Sequence, residues 1–239
     1  MERKWDDFLA PYEQAVNELK VKLRGIRKQF RKTKQHVPIE FVTGRVKPVE
    51  SILAKSKLRG IPLDRLEEEM SDIAGLRIMC QFVEDIHQVV QLLRNRKDMK
   101  VIIERDYITN KKESGYRSYH LVIEYPIQLL DGERTLLAEI QIRTLAMNFW
   151  ATIEHSLNYK YQGDFPQEIG ERLRRAAEAA YLLDEEMSSI REEIQEAQRL
   201  FSQGKRGQVE STTSMDQAEF GSLNHELEQA FMEEETPSE

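Results

Sequence analysis

The residues with the clearest chemical potential lie in two short segments, residues 113–120 and 137–144. The first places a glycine, a tyrosine, an arginine and a histidine close together, as in an open loop that presents cations and an aromatic ring. In the second, apolar and polar residues alternate, which predicts a strand with Glu139, Gln141 and Arg143 opposite its core face. Such a face is either solvated or a site. Together the segments predict a nucleotide site, with a stacked base, neutralised phosphates and a carboxylate left for chemistry.

Tyr116 follows Gly115 and offers a ring on which a base could stack, an interaction worth about 1–3 kcal/mol. Four residues near it in the sequence could neutralise phosphate charge: Arg105, Lys111, Lys112 and His120. The alternative is a tyrosine that packs on the sheet. The five histidines of the chain lack the spacing of a zinc site, so we predict no metal site from them.

A second set of cations follows Gly44 in the sequence. Lys47, Ser51 and Lys55 recur every four residues, so a helix would place them on one face. Two ammonium groups and a hydroxyl on such a face could hold a triphosphate. The alternative is a solvated helix face, the usual position of lysine.

Two carboxylates could bind a metal ion. Asp72 precedes a predicted strand, and Glu139 lies on the polar face of another. Mg²⁺ prefers a few carboxylates together with phosphate oxygens, so the pair could hold a magnesium ion that bridges phosphates. The alternative for Asp72 is a cap or turn residue. Because the two residues are far apart in the sequence, only the fold can bring them together.

The hydrophobic pattern predicts an α/β (α+β) fold, with a mixed β-sheet flanked by helices. Predicted helices cover residues 5–30, 46–58, 63–70, 85–94, 145–159 and 167–201. Predicted strands cover residues 73–82, 101–107, 119–125 and 136–143, with a turn at residues 131–132.

The composition of the 239-residue chain, 40% hydrophobic and 32% charged, indicates a soluble domain with an appendage. Apolar runs of about 18 residues are absent, so we predict no membrane span, and we expect the cytoplasm. The single cysteine, Cys80, excludes an internal disulfide and lies in an apolar strand, where a buried, inert thiol is expected.

The net charge of −7 is unevenly distributed along the chain. Residues 20–34 contain many cations and no acid, whereas residues after 207 are acidic and poor in core-forming residues. We therefore predict a domain at residues 1–202 and an acidic, poorly ordered tail at residues 203–239. Within the tail, residues 223–232 could form a short helix on contact with a partner.

Five motifs, in this order, resemble the synthetase domain of RelA/SpoT-type (p)ppGpp synthetases. They are Gly-Arg-Val-Lys-Pro at 44–48, Asp-Ile-Ala-Gly-Leu-Arg at 72–77, Ser-Gly-Tyr-Arg-Ser-Tyr-His at 114–120, Glu-Ile-Gln-Ile-Arg-Thr at 139–144 and Trp-Ala-Thr-Ile-Glu-His at 150–155. The short chain is similar to stand-alone small alarmone synthetases, especially the RelQ-type branch. The likeness covers about residues 5–202, and five motifs together override most of the single-residue alternatives.

The resemblance implies a nucleotidyltransferase-like synthetase fold with long C-terminal helices. It also implies transfer of the β,γ-pyrophosphate of ATP to the 3′-OH of GDP or GTP, which makes ppGpp or pppGpp and releases AMP. The chain has no His-Asp dipeptide and no room for the hydrolase domain of larger members, so we expect synthesis only.

Site roles follow from the same resemblance. Arg45 and Arg77 would enclose adenine, and the ATP phosphates would be held by Lys47, Ser51 and Lys55, with Lys57 or Arg59. Asp72 and Glu139 would bind Mg²⁺, and Glu139 would be the base for the 3′-OH. Tyr116 would stack on guanine. The acceptor phosphates would meet Arg105, Lys112 and His120, and the acceptor pocket would include Gln141 and Asn148.

RelQ-like proteins are homotetramers whose central cleft binds pppGpp as an allosteric activator. The resemblance places six residues in that cleft: Lys20, Arg24, Arg27, Glu40, Phe41 and Thr43. The acid-free run at residues 20–34 is consistent with an anion there. The alternatives for this run are a solvated helix face and a surface for single-stranded RNA.

Two other functions are possible on the residues alone. One is an RNA-binding regulator with a vestigial nucleotide site. The other is a template-independent nucleotidyltransferase. Such enzymes usually carry two metal-binding acids one residue apart on a strand, and Gln141 stands where the second acid would be.

Overall fold

The computed structural model describes residues 4–33, 36–160 and 166–206. The chain falls into two compact units, Met1–Arg191 and Glu192–Glu239. The first contains the whole described sheet, and the described part of the second is the C-terminal end of one helix. The predicted tail from residue 207 onward lies outside the described residues, and so does the short helix predicted at residues 223–232.

Six α-helices and five strands make up the described fold. The helices are α1 (Trp5–Lys32), α2 (Val49–Arg59), α3 (Leu66–Glu69, after a 3₁₀ turn at Leu63–Arg65), α4 (Val83–Arg94), α5 (Leu145–Lys160) and α6 (Gln167–Arg206). The strands are β1 (Phe41–Val46), β2 (Ala74–Cys80), β3 (Lys100–Asp106), β4 (Tyr119–Leu129) and β5 (Gly132–Thr144). No helix in these described ranges is long and apolar enough to cross a membrane.

The strands form one mixed sheet in the order β1-β2-β5-β4-β3. β2 and β5 are parallel, and the other three pairs are antiparallel. β4 and β5 form a hairpin in which Leu129 pairs with Gly132. The turn therefore lies at Leu130 and Asp131, one residue before the predicted position, and Gly132, the first residue of β5, has φ 127°, a conformation that favours glycine. The predicted mixed sheet is confirmed.

One face of the sheet is covered by α1 and α4. α1 packs against β1, β2 and β4, whereas α4 packs against β2, β3 and β5. The helix side of this core includes Leu19 and Leu23, and the sheet side includes Ile78 and Ile140, all fully buried. Each such side chain contributes about 1.5–3 kcal/mol through removal from water. Cys80 is also buried, and burial raises the pKa of its thiol, in agreement with an inert role.

The edge strand β1 differs from the sequence prediction, which began a helix at residue 46. Residues 41–46 pair with β2, and α2 begins only at Val49. The strand signal is weak because β1 is short and partly exposed, with a glycine near its middle. A Cβ on Gly44 would lie 2.9 Å from Val16 Cγ1, so glycine permits the close approach of α1.

β4 extends beyond the predicted end at Tyr125 and passes through Pro126. β3 pairs with β4 only as far as Glu124, so Pro126 lies where β4 has one partner strand, β5. A missing backbone N–H is tolerated at such a position. The sequence pattern shows the proline but not how far the neighbouring strand reaches.

Candidate active site

The polar face of the sheet carries the predicted site in two rows. The first row consists of register partners across all five strands: Thr43, Arg77, Gln141, His120 and Arg105. The second row, two residues away along each strand, contains Arg45, Gly75 and Glu139. Residues two apart on a strand share a face, so both rows project from the same side of the sheet.

A cavity of about 250 Å³ lies over the β1, β2 and β5 part of this face. It is lined by Thr43, Gly44, Arg45, Lys47, Asp72, Gly75, Leu76, Arg77, Glu139 and Gln141. The fold thus brings together the residues predicted for adenine, for phosphate and for metal binding.

Asp72 is held by two lysines. Lys47 Nζ lies 3.1 Å and Lys55 Nζ 2.6 Å from the same oxygen, Asp72 Oδ2. Burial by itself would raise the pKa of Asp72, but the hydrogen bonds and charges of the two lysines lower it below its usual value. The other oxygen, Oδ1, is buried and has no hydrogen-bond partner among the described residues.

The predicted stripe of Lys47, Ser51 and Lys55 on one helix is wrong, because Lys47 precedes α2. Lys47 and Lys55 still converge on Asp72, but the other predicted phosphate-binding residues do not contact it. Ser51 is exposed on α2 and does not line the cavity. Lys57 and Arg59 are exposed near the end of α2, also away from the cavity wall. Their contact with ATP stays a prediction.

Glu139 is largely buried on β5 and accepts hydrogen bonds at both oxygens. Its partners are His120 Nδ1, 3.3 Å from Oε1, and Gln141 Nε2, 2.9 Å from Oε2. Burial by itself would raise the pKa of Glu139, but His120, Gln141 and the charge of Lys55 lower it to about 2. The carboxylate is therefore ionised throughout the neutral range, which suits a cation ligand and makes it a weak base.

The two carboxylates fit a hard metal ion. Both line the same cavity, and Asp72 has a buried oxygen without a partner in the described part of the chain. No group of three or more potential His, Cys, Asp or Glu ligands occurs among the described residues. An ion that takes most of its ligands from water and phosphate, as Mg²⁺ does, matches such a donor set.

Tyr116 lies between cations and aromatic rings. Lys112 Nζ is 4.9 Å from the centre of its ring and 4.8 Å from that of Tyr107. The hydroxyl of Tyr116 lies 2.7 Å from His120 Nε2 and accepts a hydrogen bond from Arg143 Nη2 at 2.6 Å. Side chains from β4 and β5 therefore hold the hydroxyl end of the ring.

His120 and Arg105, both predicted to meet acceptor phosphates, differ in accessibility. His120 is buried, with one ring nitrogen against Tyr116 and the other against Glu139. Its burial indicates an orienting role more than a direct phosphate contact. Arg105 is exposed on β3 as the register partner of His120 and is free to reach an anion.

Arg143 received no role from the sequence, although it lies on the polar strand face with Glu139. It is buried, and it donates hydrogen bonds to Tyr116 Oη, Gln141 Oε1 and Asn148 Oδ1 at 2.6, 2.7 and 3.5 Å. Asn148, on α5, thereby joins the site. Alternation along β5 was the available signal, since it places Arg143 two residues beyond Gln141 on the same face.

The loop that carries Tyr116 is anchored on α6. Gly115 has φ 89°, and a Cβ there would lie 2.6 Å from Ala177 Cβ. Lys111 Nζ and Arg117 Nη2 both contact Glu178 Oε2, at 2.8 and 3.1 Å. A long C-terminal helix therefore positions this part of the site.

The six residues predicted for an activator lie along the contact between α1 and β1. Arg27 Nη2 lies 3.7 Å from Glu40 Oε1, and Arg24 Nη2 donates a hydrogen bond to the Val42 carbonyl at 3.5 Å. Phe41 is 41% exposed, and Thr43 also lines the main cavity. A Cβ on Gly44 would lie 3.3 Å from Lys20 Cγ, which places Lys20 beside the same strand.

Comparisons with known proteins identify relatives of this chain. A family model described as "Region found in RelA / SpoT proteins" matches residues 44–164. The chain is 63% identical over 206 residues to GTP pyrophosphokinase YjbM of Bacillus subtilis, covering 86% of this chain and 97% of the relative. It is 41% identical over 192 residues to GTP pyrophosphokinase YwaC of the same organism, covering 80% and 91%.

Solved structures give the same result. The crystal structure of small alarmone synthetase 1 from Bacillus subtilis bound to its product pppGpp has a TM-score of 0.78 and 63% identity, covering 81% of this chain and 100% of the other. A crystal structure of that synthetase bound to AMPCPP has a TM-score of 0.72 and 58% identity, covering 82% and 100%.

Proposed function

This chain belongs to the RelA/SpoT family, and from that premise we propose how its residues carry out the reaction. It is a GTP pyrophosphokinase of the small alarmone synthetase type, which transfers the β,γ-pyrophosphate of ATP to the 3′-OH of GDP or GTP and releases AMP. It makes (p)ppGpp and does not hydrolyse it. The observation that carries the assignment of residues is the two-row polar face, on which Glu139 lies between two groups of cations.

The donor half of the site consists of Arg45, Lys47, Lys55, Asp72 and Arg77. The two arginines enclose the adenine of ATP, and the two lysines bind its phosphates. Burial, together with the charges of Arg143 and Arg45, lowers the pKa of Arg77, so an anion nearby relieves repulsion among these cations. When ATP binds, its phosphates replace Asp72 as the partner of Lys47 and Lys55, which releases the carboxylate.

Asp72 and Glu139 hold Mg²⁺ in this proposal. When bound, the ion neutralises phosphate charge and polarises the reacting phosphoryl group. The lysines fix the donor phosphates, and both carboxylates are ionised before the donor binds because both pKa values are lowered. Catalysis then consists mainly of positioning and charge stabilisation, as in other phosphoryl-type transfers.

The acceptor half consists of Lys112, Tyr116, His120, Gln141 and Arg143, with Arg105 and Asn148 at its margin. Guanine stacks on Tyr116, and the acceptor phosphates meet the exposed cations Lys112 and Arg105. Gln141 and Asn148 line the pocket. Glu139 orients the 3′-OH and accepts its proton late in the reaction, since a carboxylate with a pKa of about 2 removes a proton poorly beforehand.

Regulation by the product is a further part of the proposal. The contact between α1 and β1 binds pppGpp as an activator, with the cations of α1 facing its phosphates. Exposed apolar side chains on α5 and α6, such as Phe149 and Leu182, support a homotetramer. Single-stranded RNA is a second anion that the basic face of α1 could bind. Added pppGpp should raise turnover, and Arg27→Ala should remove that increase.

Product analysis tests the function directly. The protein, incubated with Mg²⁺, labelled ATP and GDP or GTP, should form a guanosine tetra- or pentaphosphate together with AMP in equal amounts. Release of pyrophosphate with the AMP moiety retained on the acceptor would indicate nucleotidyl transfer instead. RNA binding without turnover under any condition would favour a regulator with a vestigial site.

A further inference from the structure

Five hydrogen bonds form a closed ring that includes Glu139. Arg143 Nη2 donates to Tyr116 Oη at 2.6 Å, and that hydroxyl lies 2.7 Å from His120 Nε2. His120 Nδ1 lies 3.3 Å from Glu139 Oε1, and Gln141 Nε2 donates to Glu139 Oε2 at 2.9 Å. Gln141 Oε1 in turn accepts from Arg143 Nη2 at 2.7 Å, which closes the ring.

With a neutral His120, one assignment of protons satisfies every bond. A guanidinium can only donate, so the Tyr116 oxygen accepts from Arg143, and the Tyr116 proton points to His120 Nε2 when that nitrogen carries no proton. His120 then carries its proton on Nδ1 and donates to Glu139. On the other side, Gln141 accepts from Arg143 and donates to Glu139. Both branches therefore begin at Arg143 and end at the two oxygens of one carboxylate.

Arg143 is placed for this task. Its side chain is 4% exposed, and no carboxylate oxygen among the described residues lies within 4.0 Å of it. Ser118 Oγ and Asn148 Oδ1 accept from its Nε and Nη1 at 3.3 and 3.5 Å, which fixes the plane of the guanidinium. A buried cation without a direct counter-ion is costly, and the hydrogen bonds of Arg143 to Tyr116, Gln141, Ser118 and Asn148 offset that cost.

We propose that Arg143 is a positioning residue for the reaction, which holds Glu139 in place through this ring, and that the Tyr116 hydroxyl is an essential link in it. The inference rests on the proposed function of Glu139. It gives Tyr116 two separate tasks: the ring face binds guanine, and the hydroxyl connects Arg143 to His120. The second task belongs to catalysis and not to acceptor affinity.

Kinetics of Tyr116→Phe and Arg143→Lys separate the two tasks. Phenylalanine keeps the stacking face but opens the ring, so kcat should fall roughly tenfold or more while KM for GDP stays within about twofold. Lysine is one atom shorter and lacks the Nε and Nη1 donors through which Ser118 and Asn148 fix the guanidinium, so a similar loss in kcat is expected. Because either change opens the same ring, kcat of the double variant should be no more than about twofold lower than kcat of the less active single variant.

A second readout needs no substrate. Nitrogen-15 shifts of the imidazoles, with His120 assigned from the signal lost in His120→Asn, should show the neutral tautomer protonated at Nδ1, and Tyr116→Phe should shift that signal. Tyr125→Phe is the matched control, since its hydroxyl bonds Glu18 at 2.8 Å, outside the ring. Wild-type kcat in Tyr116→Phe, multiplicative losses in the double variant, or an Nε2-protonated His120 would overturn the proposal. If the wild type gives no product, the proposed function fails instead, and the imidazole signals still test the ring.

Discussion

The donor half and the acceptor half of the site are held together by different forces. In the donor half, two lysines share one oxygen of Asp72 at 2.6 and 3.1 Å, next to an edge strand. In the acceptor half, a buried arginine, a tyrosine, a histidine and a glutamine are joined by hydrogen bonds. The donor half is therefore organised by charges that the ligand must replace, and the acceptor half by a geometry that exists before the ligand binds.

This difference predicts different costs for single substitutions. In the donor half, removing a cation removes a direct contact to phosphate, so kcat/KM for ATP should fall. In the acceptor half, the loss should divide between guanine affinity and the alignment of Glu139. Glu139 belongs to both halves, because its pKa is lowered both by His120 of the acceptor half and by the charge of Lys55 of the donor half.

The largest effect on one half is expected for Lys55→Ala. Lys55 contacts Asp72 and its charge stabilises ionised Glu139, so the change removes a phosphate ligand and disturbs both carboxylates. The value of kcat/KM for ATP should fall on the order of 100-fold or more, with KM for GDP nearly unchanged. Steady-state kinetics with each substrate varied in turn measures both terms. Lys100→Ala, which removes an exposed lysine on β3, is the control. An equal fall in kcat/KM for ATP and for GDP in Lys55→Ala would contradict the division into halves.

Tyr116→Ala should give the opposite pattern. Loss of the ring removes stacking worth about 1–3 kcal/mol, so KM for GDP should rise about 5- to 150-fold. KM for ATP should stay close to that of the wild type, because Tyr116 does not line the cavity of the donor half. The same kinetic assay tests this prediction. A rise in KM for ATP as large as that for GDP would show that the halves are not separable.

Glu178→Gln should have a smaller effect, confined to the acceptor half. Glu178 on α6 binds Lys111 and Arg117 at the two ends of the loop that carries Tyr116. These contacts are partly exposed, so KM for GDP should rise only about two- to fivefold, and less at high salt. Titrations of GDP at low and high salt provide the measurement. Glu171→Gln, an exposed glutamate on the same helix, should change nothing.

The smallest effect is expected for Asp184→Asn, which concerns stability. Thr144 Oγ1 donates to Asp184 Oδ2 at 2.6 Å where β5 meets α5, and burial raises the pKa of Asp184 to about 6. A raised pKa favours the protonated form in the fold, so the stability it provides at low pH is lost as the pH rises through about 6. Asparagine stays neutral, so the variant should gain a few degrees in Tm at pH 8 relative to wild type, and less at pH 5. Calorimetry at both pH values measures the change in Tm, and a larger gain at pH 5 than at pH 8 would contradict the predicted pH dependence.

Much of this fold could be predicted from the sequence, because α1, α4 and β5 carry strong hydrophobic periodicity. The edge strand β1 could not, since a short strand with Gly44 and one buried residue resembles a loop. The predicted end of β4 was wrong because the sequence does not show how far the neighbouring strand β3 extends, and that extent decides whether a proline is tolerated inside β4. Local pattern therefore defines elements, and strand pairing decides their limits.

The candidate site shows the same limit. Alternation along β5 placed Glu139, Gln141 and Arg143 on one face, and the structure confirms that they share it. It did not show that Arg143 closes a ring through Tyr116, since that contact spans 27 residues of sequence. His120 also lies on the polar face, yet Tyr116 covers it, so strand alternation alone suggested more exposure than the structure has.

Turnover and acceptor affinity of Glu139→Gln test the central claim most directly, which is that both halves meet at this carboxylate. Glutamine keeps the shape but loses the charge and the proton acceptor, so product formation should fall at least roughly 1000-fold. Isothermal titration should show GDP affinity within about threefold of the wild type, because Tyr116 and the cations remain. Glu13→Gln, an exposed glutamate on α1, should retain full activity. Near-wild-type turnover in Glu139→Gln would contradict the account.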